Sequence, residues 1–148
     1  MDPRVVSELK KLLGAEAVLH RPEELLLYEY DGSVEIARPN CVAFPRSTSD
    51  VVGIVQIANR YQVPVVGRGA GTGLSGGALA RQGGILVPFS RMNRILEIDA
   101  ENQRATVQPG VVNADVSVAV AHLGLHFAPD PSSQRASTIG GNVSENSG

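Results

Sequence analysis

The sequence predicts an α+β fold of two small α/β subdomains, the second of them incomplete. Three observations point to it. A strand–helix–strand pattern occupies residues 41–66, glycines cluster at 67–84 between apolar strands, and two alternating segments at 95–99 and 104–108 read as a hairpin. The 148 residues suffice for one domain, or two small subdomains, with a real core.

The elements follow in order. Residues 2–13 predict a helix: Asp2 suits the cap, Pro3 the first helical position, Val6, Leu9, Leu12 and Leu13 form an apolar stripe, and Gly14 ends it. A short helix is expected around Pro22–Glu29 and an irregular loop over Asp31–Pro39. Cys41–Phe44 predicts a strand that Pro45 stops. The cap-type cluster Ser47-Thr48-Ser49-Asp50 precedes Val51, Ile54, Val55 and Ala58 at helical spacing, and this helix should run to about Tyr61. Pro64–Val66 reads as a buried strand, parallel to the first. Ile85–Pro88 is another strand. Ile95–Asp99 and Arg104–Gln108 flank the turn Ala100-Glu101-Asn102-Gln103. Asn113 is expected to cap a helix reaching about Leu123, with Gly124 as its stop. His126 to Gly148, rich in Pro, Ser and Gly, predicts a long loop, and long ordered loops in compact domains are usually functional. The chain stops inside that loop, so a fragment of a longer protein is expected.

Composition narrows the function. Net charge is −2, and the eleven Arg and two Lys are scattered, so nucleic-acid binding has no electrostatic support. The single cysteine, Cys41, rules out a disulfide framework and reads as a small buried apolar residue. The N-terminus Met1-Asp2-Pro3-Arg4 lacks a signal-peptide layout, and no apolar run approaches the roughly 20 residues of a membrane span, so a cytoplasmic chain is expected. His20, His122 and His126 show no metal-ligand spacing, and no nucleophile–base set stands out. Asn142-Val143-Ser144 fits a glycosylation pattern but lacks a secretion signal to go with it.

The chemistry concentrates in Val65-Val66-Gly67-Arg68-Gly69-Ala70-Gly71-Thr72-Gly73-Leu74-Ser75-Gly76-Gly77-Ala78. Glycines let a backbone approach a ligand closely, and successive N–H groups can then hold phosphate oxygens. Thr72 and Ser75 can add hydroxyls, and Arg68 a charge. Three phosphate loops compete. A P-loop needs a Lys after the last glycine, and no Lys follows Lys11. A dinucleotide fingerprint matches Gly71-Thr72-Gly73-Leu74-Ser75-Gly76 literally, but Ala78 to Gln82 is too short for the crossover helix before Gly83-Gly84. The third is a diphosphate loop held between strands without a helix.

That third pattern, in the run Arg68–Ala78, resembles the pyrophosphate loop of the vanillyl-alcohol oxidase/p-cresol methylhydroxylase (PCMH-type) family of FAD-binding domains. The unit from Ala43 through Ser47-Thr48-Ser49-Asp50 to Val52 is similar to that family's opening strand and helix cap. Pro129-Asp130-Pro131-Ser132-Ser133, followed by Ala136-Ser137-Thr138-Ile139-Gly140-Gly141-Asn142 and on to Gly148, is similar to its second cluster. The resemblance covers residues 40–148. Gly71 to Gly77 makes the chain most similar to the branch of glycolate oxidase FAD subunits, D-lactate dehydrogenases and D-2-hydroxyglutarate dehydrogenases.

The resemblance implies two subdomains clasping FAD, and oxidation of a 2-hydroxy acid such as glycolate or D-lactate by the parent protein. Some family members carry a loop histidine bonded covalently to flavin. Thr72 stands at that position here, which implies non-covalent FAD. The implied cofactor contacts are Arg68, Gly69, Ala70, Gly71, Thr72, Gly73, Ser75 and Gly76 in the first cluster. In the second they are Pro129, Ser132, Ser133, Ser137, Thr138, Gly140, Gly141 and Asn142. The branch keeps its catalytic and metal-binding histidines C-terminal to this region, so no catalytic residue and no metal site are expected within the chain. The implied organisation is an N-terminal helical segment over 1–39, a first FAD-binding subdomain with the pyrophosphate loop over 40–92, and the start of a second over 93–148. A second subdomain of only a hairpin and a helix leaves an unpaired sheet edge, so the isolated chain is expected to bind FAD weakly. The implied partners are the small 2-hydroxy acid and companion subunits of an oxidase complex. The alternatives are a non-catalytic nucleotide- or phosphate-binding module and an enolpyruvyl-sugar reductase-like flavoenzyme.

Overall fold

The structure, a computed structural model, describes residues 1–147; Gly148, the end of the second glycine cluster, lies outside the described residues. Alternation along two short apolar strands organises the first half. β2 (Cys41–Ala43) and β4 (Ile85–Pro88) are buried along their whole length, and their side chains point alternately to the two faces of the sheet. Cys41, Ala43, Ile85 and Val87 join one core; Val42 and Leu86 join another with Leu25. Burial on both faces explains why these strands read as continuous apolar runs.

The sheet order is β1-β2-β4-β3, with β1 at Val18–Leu19 and β3 at Val65–Arg68. β2 and β3 both run parallel to β4, and Cys41 and Val65 both register with Ile85. The sequence expectation of a parallel pair formed by β2 and β3 is therefore corrected: β4 lies between them. The Ile-Leu-Val run of β4 gains most from the central place. β3, with Gly67 and Arg68, takes an edge, where Val65 is exposed rather than buried as expected. β1 escaped sequence reading because two residues carry no periodicity. It pairs antiparallel with β2.

Two helices cover one face. In α1 (Pro3–Leu13) the Asp2 carboxylate accepts from the Arg4 N–H, and Gly14 closes the helix. The buried residues are Val5 and Leu9, while Leu12 is exposed, so the apolar stripe is rotated from the expected one. In α3 (Thr48–Tyr61) Ser47 and Asp50 form a capping box, and Ile54, Ile57 and Ala58 face the core. Glu8 joins the pair, accepting from Arg60 at 2.7 Å and from the Tyr61 hydroxyl at 2.6 Å. The opposite face carries α2 (Pro22–Leu25) and a 3₁₀ turn over Leu26–Tyr28.

The second half is sparser. β5 (Ile95–Asp99) and β6 (Arg104–Val107) form the expected antiparallel hairpin. In α4 (Asn113–Val120) the cap is Val112, and Asn113 is the first helical residue with its side chain buried. The expectation of an Asn113 cap is thus corrected, and a 3₁₀ turn over Ala121–Leu123 leads to Gly124. An apolar groove of about 290 Å³ lies between hairpin and α4, lined by Ile98, Val107, Val116 and Phe127 among others. The expected loop over 126–148 contains a helix, α5 (Ile139–Glu145). Its two glycines weaken the local helical preference. Contacts from outside restore it: Ile139 N–H donates to Val111 O at 2.8 Å and Gly140 N–H to Pro109 O at 2.9 Å. Among the described residues no helix is long and apolar enough to cross a membrane.

Two outcomes check this packing. Leu9 and Ile54 are fully buried between α1, α3 and the sheet, so Leu9→Ala should cost about 2–5 kcal/mol in urea unfolding. Burial pushes the Cys41 thiol up from 9.0 to about 12. The native chain should then label with a thiol reagent about 1000-fold more slowly at pH 8 than the urea-unfolded chain. Because the native thiol keeps its proton above the unfolded value, its stabilising effect is complete below about pH 9 and is lost as pH rises toward about 12.

Candidate functional site

The first glycine cluster begins where β3 ends. The backbone bond from Phe89 N–H to Arg68 O, 3.0 Å, still ties it to the end of β4, and then the loop leaves the sheet. Gly71 has φ of +71°, the left-handed region that a β-carbon disfavours. Among the described residues the loop runs on to β4 with no crossover helix between, which removes the dinucleotide-fingerprint alternative.

The second cluster reaches the same place by a different route. Residues 109–114 act as a strut. Gly110 N–H donates to Met92 O at 2.8 Å, Asn113 N–H to Ser137 O at 2.9 Å, and Ala114 N–H to Gln134 O at 3.0 Å. The turn before α5 is set by Ser137 N–H to Ser133 O at 2.7 Å. Thr138 then caps α5, its hydroxyl accepting from Gly141 N–H at 3.4 Å.

The clusters touch at Gly69. A β-carbon there would overlap Thr138 Oγ1 and would stand 3.6 Å from Gly141 Cα. The result is a cleft of about 750 Å³, within the roughly 300–1,000 Å³ usual for small-molecule and cofactor sites.

The structure brings fourteen of the sixteen expected contact residues to this cleft. From the first cluster these are Arg68, Gly69, Ala70, Gly71, Thr72, Gly73 and Ser75. From the second they are Ser132, Ser133, Ser137, Thr138, Gly140, Gly141 and Asn142. Gly76 and Pro129 are not in the lining. Gly76 is buried, packed toward Leu79 and Arg81, whereas Pro129 is exposed and Pro131 borders the cleft instead. Sequence reasoning passed over Phe89, Pro109 and Glu145, which also line it. Phe89 carried a weak signal, an aromatic directly after a buried strand. Glu145 sits inside the second cluster but has a side chain unlike a phosphate ligand.

The cleft walls are rich in donors. Arg68 Nη1, Ser137 Oγ and Asn142 Nδ2 are buried and have no partner within the described residues. Buried polar atoms are normally paired, and all three can donate. A diphosphate offers only acceptors, so the donor set fits one. Among the described residues Arg68 is the only basic lining residue and Glu145 the only acidic one, its carboxylate lying against Gly77. Arg68 is 8% exposed. Burial lowers its guanidinium from the ordinary value, and the Asp31 carboxylate pushes in the opposite direction. Among the described residues no group of three or more His, Cys, Asp or Glu could hold a metal.

Known proteins are similar to this chain in sequence and in fold. Residues 39–148 match the family described as "FAD binding domain". The glycolate oxidase subunit GlcD of Escherichia coli (strain K12) is 48% identical over 145 residues, 97% of this chain and 29% of that protein. A D-2-hydroxyglutarate dehydrogenase of Stutzerimonas stutzeri (strain A1501) is 38% identical over 148 residues, 99% of this chain and 32% of the relative. A solved p-cresol methylhydroxylase with substrate bound superposes with a TM-score of 0.83 at 25% identity, covering 97% of this chain and 29% of that one. The chain thus spans less than a third of the length of these relatives.

The contact at Gly69 is testable on its own. Gly69→Ala should destabilise the chain by about 1–3 kcal/mol, since the methyl meets Thr138. Thermal melts of Gly69→Ala, Thr138→Ala and the double variant should show a double penalty smaller than the sum, because removing the hydroxyl makes room for the methyl.

Proposed function

The chain belongs to the family of FAD binding domains, and on that footing we propose that it is the cofactor-binding part of a flavin-dependent oxidoreductase acting on a 2-hydroxy acid such as glycolate or D-lactate. The observation that carries the proposal is the convergence of two glycine clusters, distant in sequence, on one cleft with three buried unpartnered donors. FAD, when bound, supplies the two-electron redox chemistry. The chain's own residues bind and orient it.

The roles divide by chemistry. Gly69 to Gly73 present backbone N–H groups to the diphosphate, with the Ser75 hydroxyl beside them. Arg68 supplies positive charge through Nη1. Ser137 and Asn142 donate from the opposite wall. Ser132, Ser133, Thr138, Gly140 and Gly141 form the channel against the rest of the cofactor. Thr72 offers no nucleophilic ring nitrogen, so the cofactor is held without a covalent bond.

Residues 40–92 form a first subdomain on which 1–39 packs, and 93–148 begin a second. The parent protein is cytoplasmic and works with companion subunits. Support for companions comes from the similar Escherichia coli protein being a subunit of glycolate oxidase. The chemistry on the hydroxy acid itself calls on residues outside this chain, and no catalytic role falls to any residue here.

The test is an FAD titration of the purified chain, followed by flavin fluorescence and the visible spectrum, with Gly71→Val beside it. A valine at φ +71° is strained and would run into the Arg68 guanidinium, so affinity should fall at least about tenfold. Acid precipitation should release the flavin intact as free FAD. Unchanged affinity in Gly71→Val, or flavin that stays with the precipitate, would overturn the assignment.

A further inference from the structure

Residues 29–38 precede the stretch that matches the FAD binding domain family, yet they fold into a turn that packs on the glycine loop. Tyr30 and Ile36 form an antiparallel bridge, and Ala37 N–H donates to Glu29 O at 2.8 Å. Inside the turn, Asp31 Oδ1 accepts from Ser33 N–H at 2.8 Å. Gly32 meets the loop: a β-carbon there would lie 2.7 Å from Thr72 O and 2.8 Å from Gly73 O. Glu35 pairs with Arg81, just beyond the loop. Arg81 in turn lies against Gly76, its Nη2 standing 2.9 Å from the place of a β-carbon. Thr72, Gly73 and Leu74 line the cleft, whereas no residue from 29 to 38 does. The turn therefore supports the loop from the side away from the cleft.

We propose that Gly32 is a positioning residue for the diphosphate site: it holds the Thr72 and Gly73 carbonyls at the back of the loop and so turns the N–H groups of Gly73 and Leu74 into the cleft. This rests on the assignment of the cleft to FAD. The peptide bonds of the described residues are all trans. In a trans peptide the C=O of one residue and the N–H of the next point in opposite directions. Fixing the oxygens of residues 72 and 73 therefore fixes the N–H groups of residues 73 and 74. None of the N–H groups from Gly69 to Ala78 has a main-chain partner among the described residues, which leaves them for an anion. A glycine-rich loop has many backbone conformations open to it, and a flipped peptide would aim a carbonyl at the phosphates. With Gly32 against the two oxygens, the 72–73 and 73–74 peptide planes have little room to turn. Only glycine fits there, because any β-carbon would push the turn and the loop apart.

Gly32 is not a positive-φ residue, so alanine can take its backbone conformation and the collision with the two oxygens is the whole effect of Gly32→Ala. The experiment compares the 148-residue chain with Gly32→Ala and Val34→Ala. Val34 shares the turn but is fully exposed, and serves as the control. FAD affinity is read by flavin fluorescence. Amide shifts are read by two-dimensional NMR of the isotope-labelled chain titrated with inorganic pyrophosphate, which isolates the diphosphate from the flavin and the adenine. In the unsubstituted chain, pyrophosphate should move the Gly73 and Leu74 amide protons downfield. Gly32→Ala should weaken FAD about tenfold, the weight of one hydrogen bond to a charged group, and shrink those two shifts. Val34→Ala should match the unsubstituted chain in both. Thermal melts report whether Gly32→Ala keeps its fold; where it does not, the amide shifts of the unsubstituted chain decide alone. Unchanged FAD affinity in folded Gly32→Ala, an equal loss in Val34→Ala, or pyrophosphate shifts that bypass Gly73 and Leu74 would overturn the role of Gly32 and leave the cleft assignment standing. Failure of the unsubstituted chain to bind either FAD or pyrophosphate would overturn that assignment, and this inference with it.

Discussion

Everything at the site depends on how closely two backbones approach at Gly69. With no side chain there, the Thr138 hydroxyl occupies the space a β-carbon would fill, and Gly141 packs beside it. The same hydroxyl of Thr138 that meets Gly69 also caps α5. One contact therefore sets both the width of the cleft and the start of the helix on its far wall. Each cluster alone would be a glycine turn. Together they enclose a concave volume lined by N–H groups, hydroxyls and a guanidinium.

The scaffold that delivers the two clusters is unequal. The first stands on a sheet buried on both faces, with Cys41, Ala43, Ile85 and Val87 on one side and Val42 and Leu86 on the other. That packing anchors the end of β3, from which the loop departs. The second cluster leans on the 109–114 strut, a series of backbone hydrogen bonds to Met92, Gln134 and Ser137. Beside it the two-stranded hairpin leaves Leu96 56% exposed and an apolar groove next to α4. A hairpin of two strands has little apolar surface to bury, and such units are marginal in water by themselves. The rigid wall of the cleft is thus the Arg68 wall, and the second wall is fastened to it mainly by main-chain bonds and the Gly69 contact.

Charge is used sparingly around this cleft. Arg68 and Glu145 are the one basic and the one acidic residue lining it among the described residues. The anion-binding character of the cleft therefore lies in oriented N–H groups more than in net charge, in a chain whose overall charge is −2. Backbone dipoles are fixed in place by the fold, so they need no reorganisation when the ligand binds.

Much of this was legible in the residues. Capping chemistry placed α1 and α3 to within a residue, because Asp2 and Ser47 act locally on neighbouring N–H groups. Alternation and turn residues placed the hairpin, and the glycine spacing marked the loop that lines the cleft. The misses share a cause. Strand order, the edge position of β3 and the burial of Val5 in place of Leu12 depend on which surfaces meet, and short-range patterns do not record that. The helix α5 runs against its own glycines and exists because Val111 and Pro109 accept its first N–H groups. Most of the residues that line the cleft were identifiable from motif chemistry, yet the absence of Gly76 and Pro129 from it and the entry of Phe89 and Glu145 were not. Local elements and the anion-binding character of the loop can be read from the residues because both arise from interactions between near neighbours in the chain. That two clusters far apart in sequence form one site emerges only in the assembled fold, because it depends on a missing side chain at Gly69 facing a hydroxyl at Thr138.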